Sequence, residues 1–185
     1  RVRSSAASDV YKRQIRETLE SKKPPFVLLE NVDRLLKSPA KQRGRDFGVI
    51  LACFRDEGYT VEWRVINAAE YGYQQRRRRI FIFAYKDDTN YAKTIIDKEN
   101  YNINDTEENK QEAMEKVILT DGFFAKTFPV TKADVSRLRT QILPKEVGEV
   151  SDSFQCNFEN TGIMKDGMIY TCLLYTSDAA DDLTR

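Results

Sequence analysis

A carboxylic acid closes one apolar run of this chain, and a block of guanidinium groups opens another. In Phe26-Val-Leu-Leu-Glu-Asn-Val32 the apolar residues stop abruptly at Glu30; in Gln75-Arg-Arg-Arg-Arg79 four cations lead into Ile80-Phe-Ile-Phe83. A carboxyl group held at the end of a buried strand can be kept protonated by desolvation and donate to a ring nitrogen, or accept from an amino group. Guanidinium forks bind phosphate and carbonyl oxygens bidentately and can stabilise negative charge developing on a carbonyl. A planar, polar, anionic ligand such as a nucleotide base with its phosphates suits both. Simpler roles exist for each. Glu30 could cap the turn at Asp33 or pair with Arg34, and the arginine run could be a solvated strand entrance that guards against edge pairing.

The elements that must position these groups are legible in outline. Ile15 and Leu19, four apart, mark the end of a helix that Pro24-Pro25 stops. Phe26 to Leu29 has the continuous apolar pattern of a strand covered on both faces, and in an open parallel sheet Glu30 would sit at the carboxyl edge where ligands bind. Asp33 to Ser38 reads as a helical turn. Phe47, Ile50, Leu51 and Phe54 recur at helical spacing, with Gly58 placed to end the helix. Val61, Trp63 and Val65 alternate with Glu62 and Arg64, which predicts a strand with one wetter face. Ile80 to Tyr85 predicts a second buried strand. A strand period of two puts Gln75, Arg77 and Arg79 on one face and Arg76 and Arg78 on the other. This order of strand, helix, strand, strand is half of an α/β sheet.

Composition narrows the chemistry. The chain is 41% hydrophobic, enough for a core, and no apolar run approaches the length of a membrane span. There is no histidine, so a histidine base or a histidine-containing zinc site is excluded, and no metal is expected. Few cysteines argue against a disulfide framework and fit a reducing cytoplasm. The net charge of +1 hides a local contrast between the basic Arg76–Arg79 and the acidic, asparagine-rich stretch from Asp97 to Glu115. Binding of nucleic acid would therefore rest on a local patch. Residues 87–116 read as a polar connector with at most one helix, around Glu107 to Val117. From Ile118 on, short apolar groups punctuated by Pro129, Pro144, Gly148, Gly162 and Gly167 predict a loop-rich segment with short strands. The two ends share an origin. Ser4 to Gln14 can be encoded by a DNA word whose reverse complement, read one base out of register, encodes Cys172 to Asp181. That word looks like a sequencing adapter, so residues 1–14 and 172–185 are expected to be non-native and the remainder a piece of a longer protein.

Together with Asn67-Ala-Ala-Glu-Tyr-Gly72, these segments resemble DNA cytosine-5 methyltransferases. Glu30-Asn31-Val32 resembles that family's Glu-Asn-Val motif. Tyr71-Gly72-Tyr73-Gln74-Gln75-Arg76-Arg77-Arg78-Arg79 resembles its Tyr-Gly-x-Pro-Gln-x-Arg-x-Arg motif, with Gln74 where proline is usual. Gly122-Phe-Phe-Ala-Lys-Thr-Phe-Pro-Val130 and Phe158 to Gly167 look, more weakly, like the start of a bacterial target-recognition domain. The resemblance implies an α/β fold: the second half of a Rossmann-like S-adenosylmethionine-dependent methyltransferase sheet plus part of a small, loop-rich target-recognition domain. Residues 15–86 would be the C-terminal half of the catalytic domain and 117–171 the partial recognition domain.

The resemblance also implies a mechanism. A cysteine thiolate attacks C6 of a flipped-out cytosine in double-stranded DNA, and C5 takes a methyl group from S-adenosylmethionine. Glu30 would bind the N3 and amino edge of the ring. Arg79 would bind the O2 carbonyl and hold Glu30 in place. Arg77 and Gln75 would meet the DNA backbone or order the site, while Asn31 would fix the turn. Glu30, Arg77 and Arg79 are thus the expected catalytic set, and Asn31, Gln75, Arg77 and Arg79 the expected DNA-binding set. Lys126, Lys132, Arg137 and Arg139 are candidates for phosphate contacts.

The sequence has no Pro-Cys pair, where the family's nucleophile would lie, and no glycine-rich turn after a first strand to hold S-adenosylmethionine. The chain is therefore expected to be inactive alone, with a cytoplasmic, monomeric enzyme as its parent, linked to restriction-modification. Cys53, on the apolar face of its helix, and Cys156 are expected to be structural. A non-catalytic DNA-binding relative that kept the arginine strand is the alternative. A phosphate rail of unrelated ancestry would require a fold in which Glu30 and Arg79 lie apart. A sheet lacking its first strands would also expose an unpaired edge and favour association.

Overall fold

The computed structural model describes residues 3–96 and 101–175, with residues 3–12 described by their backbone alone. Of the expected non-native tails, 1–14 and 172–185, residues 1–2 and 176–185 lie outside the described residues. The elements are α1 (Arg3–Lys22), β1 (Phe26–Val32), α2 (Arg45–Asp56), β2 (Tyr59–Asn67), β3 (Arg78–Lys86), α3 (Asn90–Ile95), α4 (Glu107–Lys116), α5 (Phe123–Thr127), β4 (Arg139–Ile142), α6 (Val147–Asp152), β5 (Thr161–Lys165) and β6 (Met168–Cys172). Short 3-10 turns follow β1 at Asp33–Lys37 and β2 at Ala68–Tyr71, and a π-helical turn at Val117–Asp121 links α4 to α5.

Among the described residues the strands form one sheet in the order β1-β3-β2-β5-β6-β4, every neighbouring pair antiparallel. Here the structure corrects the expected parallel arrangement. β3 inserts between β1 and β2, pairing Glu30 with Phe81 on one side and Arg64 with Phe81 on the other. The expected second segment is continuous with the first, because β5 pairs along β2 from Val61 to Arg64. The expected connector also carries two helices rather than one, α3 capped by the Thr89 side chain and α4 by that of Thr106.

Two apolar layers cover the sheet. On one face Ile15 and Leu19 of α1 and the apolar stripe of α2 pack on Val61, Trp63, Val65, Ile80 and Ile82. Trp63 is held edge-on by Phe47 (5.2 Å between ring centroids) and Phe158 (5.7 Å). Its ring lies over β5 so closely that a side chain at Gly162 would overlap it. On the other face Met114, Val117 and Ile118 pack with Ile95, Ile163 and Tyr170.

Two burial expectations are overturned. β1 is not covered on both faces: it is the terminal strand, and its residues alternate between exposed and half-buried, with Phe26, Leu28 and Val32 among the exposed apolar groups. Its Val27 and Leu29 meet the α1–α2 layer while Phe26, Leu28 and Glu30 face the other way. β2, by contrast, has no wet face. Glu62 and Arg64 are both buried, because the chain from Val117 to Phe128 folds down over them.

Candidate nucleotide-base site

Glu30 lies two residues before the end of β1 and faces away from the α1–α2 layer. Its position follows from strand alternation: Val27 and Leu29 are drawn to the core, so Leu28 and Glu30 must project to the opposite side. Arg79, the second residue of β3, projects to that side too and places Nε 3.2 Å from Glu30 Oε1. Arg77, just before the strand, brings Nη2 to 4.0 Å from the same oxygen. Neither of the simpler roles for Glu30 is realised: Asp33 at the turn pairs with Arg78 (3.5 Å), which lies on the other face of β3. The predicted split of the arginine run by a period of two is therefore present at its last three positions.

These groups line one wall and the floor of an open pocket of about 700 Å³, within the roughly 300–1,000 Å³ of small-ligand sites. Aromatic residues provide most of the remaining lining, with Leu28, Ile66, Ala68 and Thr127 between them. Phe81 lies beneath, Phe123, Phe124 and Phe128 of the α5 segment stand opposite, and Tyr71 closes the end. Tyr71 packs edge-on to Phe128 at 4.9 Å, and Phe123 stacks on Phe83 at 4.2 Å. A carboxylate flanked by two guanidinium groups inside aromatic walls can hold a flat heterocycle by its polar edge while its faces contact rings.

Not every expected site residue joins this pocket. Asn31 faces the other side of β1, where its side chain accepts the Val32 N–H at 2.8 Å and shapes the strand end. Gln75 lies in the exposed turn before β3, where its carbonyl accepts the Arg77 N–H at 2.9 Å. Among the candidate phosphate contacts, Lys132 pairs with Glu115 (3.0 Å) and Arg139 with Glu159. The three cysteines are buried without disulfides, and burial pushes the thiols of Cys156 and Cys172 up to about 12. Neither is an activated nucleophile.

Residues 12–168 match the family described as C-5 cytosine-specific DNA methylase. The chain belongs to that family. Among curated proteins the chain is similar to the Type II methyltransferase M.Sau3AI of Staphylococcus aureus, with 45% identity over 159 residues covering 85% of the chain and 35% of the relative. It is similar over a shorter span to M.NgoBI of Neisseria gonorrhoeae, with 40% identity over 73 residues, 40% of the chain and 22% of the relative. M.MthTI of Methanothermobacter thermautotrophicus is 36% identical over 74 residues, again 40% of the chain and 22% of the relative. The chain thus spans about a third of the length of M.Sau3AI. Because Glu30 and Arg79 meet, the condition that would have favoured an unrelated phosphate rail is not met.

The aromatic wall and the two buried charges of β2 were missed by sequence reasoning. A signal existed for the second. Glu62 and Arg64 interrupt a run that is otherwise apolar or β-branched from Tyr59 to Ile66, as polar anchors in a strand buried on both faces do.

Proposed function

We propose that this chain is the base-holding part of a DNA cytosine-5 methyltransferase of the restriction-modification type. The observation that carries this reading is the Glu30–Arg79 contact, 3.2 Å, inside an aromatic-walled pocket of a C-5 methylase family member. Glu30 holds the N3 and amino edge of a flipped-out cytosine and stabilises the protonated ring, while Arg79 donates to the O2 carbonyl, so that negative charge pushed into the ring by attack at C6 is offset. Arg77, more exposed, meets the DNA backbone at the mouth of the pocket.

The family's methyl donor is S-adenosylmethionine. The residues of this chain do not fit it: no glycine-rich turn follows a strand, and the carboxylate of the pocket is engaged by arginine. The buried thiols of Cys156 and Cys172 do not supply the attacking thiolate either.

The test uses the complete coding sequence of the parent protein, assayed for methyl transfer from labelled S-adenosylmethionine to double-stranded DNA with identification of the modified base. 5-Methylcytosine is the expected product. A methylated adenine, or DNA binding without transfer by a folded, complete protein, would overturn the reading; the latter would establish a non-catalytic relative.

A further inference from the structure

β2 carries two charged side chains that methyl transfer leaves unused. Glu62 and Arg64 are two residues apart and leave the strand on the α5 side, 3% and 1% exposed. Arg64 spreads its guanidinium over three main-chain carbonyls. Nη2 donates to Ile118 at 2.9 Å, and Nη1 donates to Phe124 at 3.2 Å and Phe128 at 2.7 Å. Its Nε reaches Thr161 Oγ1 on β5 at 3.4 Å. Glu62 lies against the start of α5, where its Oε1 is buried with no hydrogen-bond partner among the described residues. Beside it, a side chain at Gly122 would overlap Glu62 Oε2 and the Val117 carbonyl.

The cation takes main-chain carbonyls of the turn before α5, of α5 itself and at its end, while the carboxyl group packs against the start of α5. Burying a guanidinium is costly unless its donors are matched, and all three nitrogens of Arg64 have acceptors. The segment gripped in this way carries Phe123, Phe124 and Phe128, the pocket wall opposite Glu30 and Arg79.

We propose that Arg64, which holds residues 117–128 by their main chain, and Glu62, which packs against Gly122, are positioning residues that together fix the aromatic wall of the base pocket. They touch no ligand and act through the segment they hold. The proposal rests on the reading of that pocket as a base site and adds which residues set its width.

Two readouts on the 185-residue chain test it. The first is amide hydrogen exchange across residues 117–128, compared with β2 and β3. The second is fluorescence of a duplex oligonucleotide bearing one pyrrolocytosine, which responds when that base leaves the stack. Gly122→Ala and Arg64→Lys should speed exchange in 117–128 while leaving strand amides protected, and weaken probe binding by about tenfold, the scale of one lost base–aromatic contact. Glu62→Gln, which keeps the shape of the side chain against Gly122, should retain much of the protection that Glu62→Ala loses. Should Arg64→Lys fail to fold, Gly122→Ala and the Glu62 pair decide. Unchanged exchange in 117–128, or faster exchange with unaltered probe binding, would overturn the proposal. If the unmodified chain does not bind the probe, the base-site reading fails instead. The grip on the wall is then judged by exchange alone, with selective loss of protection supporting it and unchanged protection overturning it.

Discussion

Glu30 and Arg79 meet diagonally across the β1–β3 ladder. In register Glu30 stands opposite Phe81 and Arg79 opposite Val32, yet the arginine reaches back along the sheet to place Nε 3.2 Å from the carboxylate. The Glu30 side chain is half exposed and Arg79 about a quarter, so the pair is open to solvent on its pocket side. An ion pair of this exposure contributes little to folding, roughly 0–1 kcal/mol. Its geometry matters for what it presents to a ligand.

Glu30→Gln in the complete protein should therefore leave DNA affinity and thermal stability nearly unchanged while slowing methyl transfer. The expected loss is about 100-fold or more, the usual scale for removing a positioned acid or base. Gel-shift titration beside a labelled-methyl assay separates the two effects. Near-normal turnover would remove Glu30 from the chemistry.

Stability should depend on pH through Glu62. Burial pushes its carboxyl up to about 7, against the opposing pull of the Phe123 and Phe124 N–H groups, the Tyr85 hydroxyl and Arg64. The folded chain then binds this proton more tightly than the unfolded chain. The stability it contributes is present at low pH and is lost as pH rises from the ordinary carboxylate range through about 7, the reverse of a salt-bridged carboxylate. The full loss is on the order of 3 kcal/mol. Melting curves between about pH 5 and 8 should show the decline, and Glu62→Gln should flatten it.

Gly162→Ala should destabilise the chain by about 1–3 kcal/mol or more, the cost of overpacking a well-filled core. The added methyl group would collide with the Trp63 ring and the Tyr170 carbonyl at the β2–β5 junction. Urea denaturation followed by Trp63 fluorescence reads the loss directly, and an unchanged midpoint would mean that the junction is looser than described.

Self-association is the expected behaviour of the terminal strand. β1 offers an unpaired edge bearing exposed Phe26, Leu28 and Val32. Sedimentation at rising concentration should reveal oligomers, and Leu28→Lys should shift them toward monomer. A concentration-independent monomer would contradict this.

The parts of the fold that sequence revealed are those encoded locally. The α2 stripe, the 3-10 turn after β1 and the β3 core all follow from short-range spacing, and each lies where expected. What escaped depends on partners distant in the chain. Alternation along Val61 to Val65 assigned Glu62 and Arg64 to water, because the chain that buries them arrives about sixty residues later. The pairing of β2 with β5 spans a still longer gap, from Val61↔Met164 to Arg64↔Thr161, and nothing in either strand announces it. At the site, the two groups with motif spacing, Glu30 and Arg79, were found; the aromatic wall was not, since α5 is brought to the pocket only by those unanticipated anchors.

Within residues 117–128 Arg64 engages peptide carbonyls. Every residue type supplies these, so in that segment only Gly122, packed against Glu62, is fixed in identity by close approach to those anchors. The chain has thereby separated the location of its pocket wall from the composition of that wall. Rings at positions 123, 124 and 128 can be exchanged to suit a different ligand surface while the segment stays moored in the same place.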